Sequence, residues 1–183
     1  MNKRMQTSFM AGALATAMLS AGPLAAALPK GAQAPPVVTT GAMAGKAFSF
    51  DLARALKKGP VVLYFFPKAF TQGCTLEARA FAEAMPQFKA AGAQVVGLSA
   101  DDVETLKKFS TEECRDAFPV ARATPATIRA YDVALQMNGG AGLMSDRTSY
   151  VISQDGRITL VHSDSDWREH VSRTLAAVRA LDR

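Results

Sequence analysis

An uninterrupted apolar run limits most strongly what this chain can fold into. Residues 61–66 read VVLYFF, with Gly59 and Pro60 before them and Pro67 directly after. β-Branched and aromatic residues without polar alternation, bounded by glycine and proline, are typical of a strand buried on both faces of a sheet. We therefore predict a central strand here, in a single domain of ordinary size.

The segments that follow alternate between helical and extended patterns. The predicted elements are, in order, a helix over residues 75 to about 90, a strand over 94–99, a helix over 101 to about 110 capped by Asp101 or Asp102, a short strand over 118–120, a helical turn begun by Thr124 and Pro125, strands over 148–153 and 157–162 joined by the turn 154–156, and a helix over 166–181. This order is that of an α/β, thioredoxin-like fold, with a central mixed β-sheet flanked by helices.

The stretches outside these elements have weaker patterns. Residues 28–40 are rich in proline and alanine without helical period, so we expect an extended lead-in. Residues 41–58 offer only a short strand or a cap over the core, around residues 48–52. Glycines mark residues 136–145 as a loop.

The first 27 residues resemble a secretory signal. Lys3 and Arg4 precede an apolar run over residues 9–19, and small residues at 25–27 offer a cleavage site. We predict a cleaved signal peptide over 1–27 and one domain over 28–183, located in the periplasm or secreted. A retained membrane anchor is the alternative. The net charge of +5 is not concentrated in a tract, so it gives no reason to expect nucleic acid or, after cleavage, a membrane as partner.

Cys74 is the strongest candidate for chemistry. It lies between the strand that ends at Phe66 and the following helix, so its sulfur is predicted in the first helical turn, where unpaired N–H groups stabilise a thiolate. A thiolate that attacks a peroxide oxygen becomes a sulfenic acid. Thr71 places a hydroxyl three residues earlier, to donate to the sulfur and accept from a peroxide, or to cap the helix. Pro67 would shape the loop and shield the site.

The segment 67–77, PKAFTQGCTLE, resembles the active-site signature of peroxiredoxins, Pro-x-x-x-Thr-x-x-Cys directly after an apolar strand. Within that superfamily it is similar to the bacterioferritin comigratory protein subfamily, and the resemblance runs from about residue 31 to the C-terminus. It implies a thiol peroxidase that reduces hydrogen peroxide and organic hydroperoxides. It also implies no metal or organic cofactor, a thioredoxin-like or other thiol as reductant, and a monomer or homodimer.

The resemblance also assigns roles to two charged residues. Arg147 precedes the predicted strand 148–153 and matches the arginine that such enzymes bring to the sulfur. A guanidinium there would stabilise the thiolate and the charge that develops during O–O cleavage. A solvated charge at a strand edge is the alternative. Glu77 would bind free N–H groups of the first helical turn or hold Arg147 in place.

The second cysteine departs from the pattern of many subfamily members. They carry a resolving cysteine five residues after the first, where this chain has Arg79. We predict that Cys114, forty residues downstream and just past the second helix, resolves the sulfenic acid. A one-cysteine mechanism with an external thiol, or a structural or buried free cysteine, are the alternatives. A disulfide needs Cα atoms within about 7 Å, so the first turn of the Cys74 helix is expected to unwind.

Other functions fit the residues around Cys74 less well. A thioredoxin-like disulfide oxidoreductase needs Cys-x-x-Cys, but Thr71 and Glu77 occupy the positions three residues from Cys74. A copper chaperone would need Cys-x-x-x-Cys, and a non-catalytic module would hold a structural bridge between the two cysteines. His162 and His170 have no metal-ligand spacing, and structural or surface roles are expected for them.

Overall fold

A computed structural model describes residues 27–135 and 143–181. All but the last residue of the predicted signal peptide (1–27) and most of the predicted loop at 136–145 therefore lie outside the described residues. Within them, no helix has both the length and the apolar character needed to cross a membrane.

Seven strands form one sheet in the order β2-β1-β5-β4-β3-β6-β7. The elements are β1 (Val38–Met43), β2 (Lys46–Asp51), α1 (Leu52–Leu56), β3 (Val61–Phe65), α2 (Gln72–Ala90), β4 (Gln94–Ser99), α3 (Val103–Glu112), β5 (Val120–Arg122), α4 (Pro125–Ala130), β6 (Thr148–Ile152), β7 (Ile158–Ser163) and α5 (His170–Leu181), which follows a 3-10 turn at Trp167–Glu169. Strands β3, β4 and β5 run parallel, whereas β6, β7 and the β1–β2 hairpin pair antiparallel. The expectation of a mixed sheet is confirmed.

The predicted central strand lies in the middle of this sheet and is buried on both faces. Val62, Tyr64 and Phe66 point into a cluster with apolar side chains of α2, α3 and α5. Val61 and its alternate neighbours on β3 point into a second cluster, with side chains of α1 and α4. Because successive side chains of a strand face opposite sides, the continuous apolar run is explained by helices covering both faces.

The N-terminal hairpin was missed by the sequence analysis. The predicted lead-in contains the start of β1, and the short strand expected around residues 48–52 is confirmed as β2, with α1 directly after it. Gly41 weakens the strand pattern in the sequence, yet the sheet requires it: a Cβ atom there would lie 2.1 Å from the carbonyl oxygen of Val120 on β5. That close approach is visible only when the partner strand is known.

Several boundaries were confirmed and others shifted. The Asp102 carboxylate accepts from Thr105 N–H at 2.8 Å and caps α3. Thr124 caps α4 with proline directly after it, as predicted. However, α2 begins three residues earlier than predicted, at Gln72. Strand β5 also begins later than predicted, and the last helix opens with a 3-10 turn.

Candidate active site

Cys74 is the third residue of α2, so its sulfur lies in the first helical turn as predicted. The helix begins at the end of the sheet where the parallel strands β3 and β4 terminate, which is the usual place for a site in such a sheet. The Cys74 side chain is buried, with 1% of the residue exposed. The thiol therefore combines a helix N-terminus with a site that excludes most water.

The loop between β3 and α2 is held in place from two sides. Asp101, after β4, accepts hydrogen bonds from the Ala69 N–H and from the Ser99 hydroxyl, both at 2.8 Å. The Ser145 hydroxyl donates to the Phe66 carbonyl at 3.0 Å. Phe70 adopts a left-handed conformation with φ of 62°, which is uncommon for an aromatic residue. These contacts fix the backbone that leads into Cys74.

Thr71 occupies the N-cap position of α2, but the predictions for its hydroxyl as a cap and as a donor to the sulfur were wrong. Its side chain makes no capping hydrogen bond, because the hydroxyl donates instead to the Lys68 carbonyl at 3.0 Å. A hydroxyl that has donated its proton still offers lone pairs as an acceptor. Thr71 can therefore receive a hydrogen bond from a molecule entering the site.

Arg147 reaches the sulfur from the residue directly before β6. Its Nη2 lies 3.4 Å from Cys74 Sγ, and its Nε donates to the Ser165 carbonyl at 3.0 Å. Its Nη1 donates to Glu77 in a buried ion pair. Of the two roles considered for Glu77, the structure therefore shows contact with Arg147. Arg147 is only 9% exposed, so it is not the solvated strand-edge charge of the alternative interpretation.

Gly73 makes room for this arginine. A Cβ atom at Gly73 would lie 3.1 Å from Arg147 Nη2, a tighter contact than side chains normally tolerate. The glycine before the cysteine thus lets the guanidinium approach the first turn of α2.

Aromatic rings pack together at the loop between β3 and α2. Phe109 on α3 lies between Phe66 and Phe70, with ring centroids 5.3 Å from each. Phe66 is buried, whereas Phe70 is 42% exposed. Pro67 is half-buried in the same loop, where the sequence analysis placed a shield. Phe66 and Phe109 belong to the same hydrophobic cluster as Cys74, and Phe70 is the exposed member of this group of rings.

Cys114 lies two residues past the end of α3, as predicted, but its surroundings differ from those of Cys74. It is fully buried, and both cysteines are free thiols. Burial raises the pKa of the Cys114 thiol, and the nearby carboxylates of Glu113 and Asp116 raise it further. The structure thus places Cys114 in an environment that favours the neutral thiol.

The segment that carries Cys114 is tied to α2 by two ion pairs. Arg79 Nε lies 2.7 Å from Glu113 Oε2, and Arg115 Nη1 lies 3.2 Å from Glu83 Oε1. Arg115 and the residue after it both have positive φ values, 50° and 57°. Consecutive left-handed residues other than glycine are unfavourable, so this turn is held by its surroundings. Arg79 occupies the position where many subfamily members carry a cysteine. Here it binds the segment that carries Cys114.

His170 is the residue whose position sequence reasoning missed. It begins α5 and is fully buried, with Nδ1 2.8 Å from Ser149 Oγ and 3.7 Å from Glu77 Oε1. Its Nε2 lies 3.0 Å from the Asp164 carbonyl oxygen. His162, on β7, has its ring 4.5 Å from the His170 ring. No sequence pattern links Glu77 on α2 to His170 on α5, so their proximity in the folded chain could not be predicted.

No group of three or more His, Cys, Asp and Glu side chains in residues 27–135 and 143–181 is arranged to hold a metal ion. The polar groups at Cys74 are instead a thiol, a guanidinium and a carboxyl group, a set suited to binding and polarising a small oxygen-containing substrate.

Comparison with known proteins identifies the family of this chain. Residues 31–161 match the model of the AhpC/TSA family. The chain belongs to this family. It is 32% identical over 148 residues to peroxiredoxin Bcp of Xanthomonas campestris pv. campestris, covering 73% of this chain and 92% of the relative. It is 34% identical over 151 residues to the chloroplastic peroxiredoxin Q of Populus jackii, covering 81% of this chain and 68% of the relative.

Solved structures of the same family share the fold. The crystal structure of peroxidoxin BcpB from Mycobacterium tuberculosis superposes with a TM-score of 0.73 at 30% identity, over 83% of this chain and 97% of the other. These relatives confirm the thioredoxin-like peroxiredoxin fold and the resemblance to the bacterioferritin comigratory protein type. The protein is a thiol-dependent peroxidase of the AhpC/TSA family, and a thioredoxin-like disulfide oxidoreductase is not favoured.

Proposed function

We propose that Cys74 is the peroxide-reacting nucleophile of this peroxidase and that Arg147 and Thr71 hold the substrate against it. The observation that carries the proposal is the 3.4 Å contact between Arg147 Nη2 and Cys74 Sγ in a buried first helical turn. A guanidinium at that distance stabilises a thiolate, and it faces the position where a peroxide oxygen would bind.

The proposed first step is a displacement at oxygen. The Cys74 thiolate attacks the terminal, hydrogen-bearing oxygen of R–O–O–H, an S–O bond forms and the O–O bond breaks. The products are Cys74–S–OH and RO⁻, which takes up a proton to leave as water or an alcohol. Arg147 stabilises the charge on the reacting oxygens, and Thr71 accepts the peroxide O–H, because its own proton is donated to Lys68.

The aromatic residues near the site indicate which peroxides it accepts. Phe66 and Phe109 share the hydrophobic cluster of Cys74, and Phe70 packs on Phe109, so we propose that a short alkyl group on the peroxide contacts this apolar surface. Hydrogen peroxide and small organic hydroperoxides are therefore the proposed substrates, and no metal or organic cofactor is needed for the step.

Cys114 is the proposed resolving thiol. Cys74–SOH and Cys114–SH condense to a disulfide and water, and an external dithiol then reduces the disulfide. Because Cys114 is fully buried and its neutral form is favoured, the step requires local opening of the segment after α3, of the first turn of α2, or of both.

We further propose that the enzyme works outside the cytoplasm. The support is the basic start, apolar run and small-residue cleavage site in residues 1–27. In an oxidising compartment the reductant is then a dedicated thioredoxin-like or other thiol donor that reaches this compartment.

Mass spectrometry of the reduced mature protein after one equivalent of hydrogen peroxide tests the assignment. The Cys74→Ser and Cys114→Ser proteins are the controls. We expect a Cys74–Cys114 disulfide in the wild type and a sulfenic acid on Cys74 in Cys114→Ser. A sulfenic acid that persists in the wild type would transfer resolution to an external thiol, and no fast oxidation of Cys74 would refute the assignment.

A further inference from the structure

A cavity of about 470 Å³ lies at the end of the parallel strands opposite to Cys74. The Cys74 helix begins where β3 and β4 end, whereas this cavity is lined by the first residues of β4, the residues directly before β5 and the end of α2. Its volume falls within the range of about 300–1,000 Å³ that is typical of small-molecule sites. The reaction proposed for Cys74 leaves this cavity without a role.

The pairing of the strands explains why the sheet opens here. Strand β5 has only three residues, and it pairs with β4 from Gly97 onward. Pro119, directly before β5, has no N–H to donate, and its carbonyl oxygen accepts from Gly97 N–H at 3.1 Å. The first residues of β4, Gln94 to Val96, therefore do not pair with β5 and line the cavity instead. The opening is a consequence of the sheet itself.

The interior of the cavity is apolar and preformed. Phe50 of β2, Met85 of α2, Val96 of β4 and Phe118 before β5 line it, and each is at most 5% exposed. Phe50 and Val96 belong to one hydrophobic cluster, and Met85 and Phe118 belong to the other. Because elements of both clusters hold these side chains, an apolar group that enters the cavity leaves water without the wall first having to form.

The mouth of the cavity is positively charged. The charged residues that line it are Arg54, Lys58 and Lys89, which are exposed, and Asp51. Arg54 lies 3.3 Å from the Asp51 carboxylate, which also accepts from the Arg54 N–H at the start of α1. Within residues 27–135 and 143–181, neither Lys58 nor Lys89 forms an ion pair. Two ammonium groups at the mouth are thus available to an anion.

The two lysines are carried by turns that pack against each other. Lys58 directly precedes Gly59, and Lys89 lies three residues before Gly92. A Cβ atom at Gly59 would lie 2.1 Å from the Gly92 carbonyl oxygen, so the turn after α1 and the turn after α2 are in close contact. The fold therefore brings both lysines to the same end of the molecule, beside the same cavity.

We propose that this cavity binds a fatty acid anion, with the hydrocarbon chain among the buried apolar side chains and the carboxylate between Lys58 and Lys89. A neutral apolar molecule would fill the interior but leave the two ammonium groups without a counter-charge. A small inorganic anion would neutralise the mouth but leave the interior unfilled. A carboxylate with a single alkyl chain matches both parts. The proposed site is independent of the reaction at Cys74.

Isothermal titration calorimetry of the reduced mature protein, with ligands below their micelle-forming concentrations, tests the proposal. We expect saturable binding of dodecanoate to one site, with affinity rising about threefold to fourfold for each methylene added from octanoate. Lys58→Glu/Lys89→Glu should weaken dodecanoate binding about tenfold and leave the binding of dodecanol unchanged. Lys30→Glu/Lys108→Glu is the matched control, because it makes the same change in net charge at exposed lysines outside the cavity.

Nuclear magnetic resonance of labelled methionine methyl groups locates the ligand without relying on activity. Met43 and Met85 line the cavity and Met144 does not, so dodecanoate should shift the first two signals only. Ser49→Trp, which places a large side chain at an exposed position of the lining, should abolish these shifts.

Three results would overturn the inference. They are the absence of saturable dodecanoate binding, an equal loss of affinity in the two double-lysine variants, and binding that leaves the Met43 and Met85 signals unchanged. If Ser49→Trp does not fold, the lysine variants and the methionine signals of wild type still decide.

Discussion

Two thiols lie in the same hydrophobic cluster of this protein, and they have opposite surroundings. Cys74 is in the first turn of α2, with the Arg147 guanidinium 3.4 Å from its sulfur. Cys114 follows α3 with carboxylates of Glu113 and Asp116 nearby, and these together with burial raise the pKa of its thiol. Both residues are almost completely buried, at 1% and 0% exposed.

Burial alone does not distinguish the two thiols, since both are buried to nearly the same degree. Desolvation disfavours any thiolate, so a buried thiol is inert unless neighbouring dipoles and charges compensate. At Cys74 the compensating groups in our proposal are the helix N-terminus and the Arg147 guanidinium, whereas the acidic neighbours of Cys114 add to the penalty. The experiments that follow alter one side of this comparison at a time.

Replacing the guanidinium should have the largest effect. Arg147→Gln keeps a polar side chain but removes the charge beside Cys74, so we expect the hydrogen peroxide rate constant to fall about 10²–10³-fold. Stopped-flow oxidation of the reduced protein measures it. Arg157→Gln is the matched control, because Arg157 is exposed on the hairpin before β7 and pairs only loosely with Asp155. A loss no larger in Arg147→Gln than in Arg157→Gln would remove the arginine from the mechanism.

Ionisation of the buried Glu77, near Cys74, lowers the stability of the folded protein. Its pKa is raised from 4.5 to about 8 in the folded protein, so folding requires proton uptake between these values. The stability that goes with the proton is fully present below pH 4.5 and is lost as pH rises toward 8. Glu77→Gln should therefore gain stability over wild type with rising pH, by about 1–3 kcal/mol at pH 8 in urea unfolding. A variant destabilised at all pH values would show that Glu77 acts as a stabilising anion.

Gly73→Ala tests the close approach of Arg147 without changing any charge. The added Cβ would lie 3.1 Å from Nη2, so the guanidinium must give way by a few tenths of an ångström, which changes its contact with the sulfur. We expect a peroxide rate constant lowered by about tenfold, with little change in unfolding free energy, because alanine suits a helix better than glycine. An unchanged rate with an unchanged structure would mean that the 3.4 Å contact is not needed.

Arg79→Ala should act on the other thiol, with the smallest effect. The ion pair with Glu113 ties the Cys114 segment to α2, and Arg79 is 43% exposed, so its contribution is modest. Alkylation of Cys114 in the reduced protein should accelerate about twofold to fivefold, and high salt should do the same in wild type. Arg54→Ala is the control, because it removes the Arg54–Asp51 ion pair, which lies distant in sequence from Cys114. Equal rates of Cys114 labelling in both variants would show that the Arg79–Glu113 ion pair does not restrain the Cys114 segment.

The sequence predicted the parts of this structure that depend on local pattern. The buried strand at β3, Cys74 in the first turn of α2 and the α3 cap by Asp102 all follow from neighbouring residues. The parts it missed depend on partners distant in sequence. Gly41 in β1 is explained only by the approach of β5, and the Thr71 hydroxyl is directed by a backbone carbonyl rather than by the sulfur.

The role of Arg147 was suggested by resemblance rather than by pattern, since a charge before a strand is ordinary at a sheet edge. The burial of His170 beside a carboxyl group of α2 gave no signal in the sequence, because only the folded chain brings these two side chains together. Charges in a buried site are therefore the feature least visible in a single sequence and most dependent on the fold.

The most direct test of the account is the rate at which each thiol of the reduced protein reacts with hydrogen peroxide. Stopped-flow kinetics with quench and peptide mass spectrometry measures this rate for both cysteines in one sample. The account predicts that Cys74 is oxidised first, on the order of 10³-fold faster than free cysteine or more. Oxidation of Cys74 at the rate of free cysteine, or of Cys114 before Cys74, would contradict it.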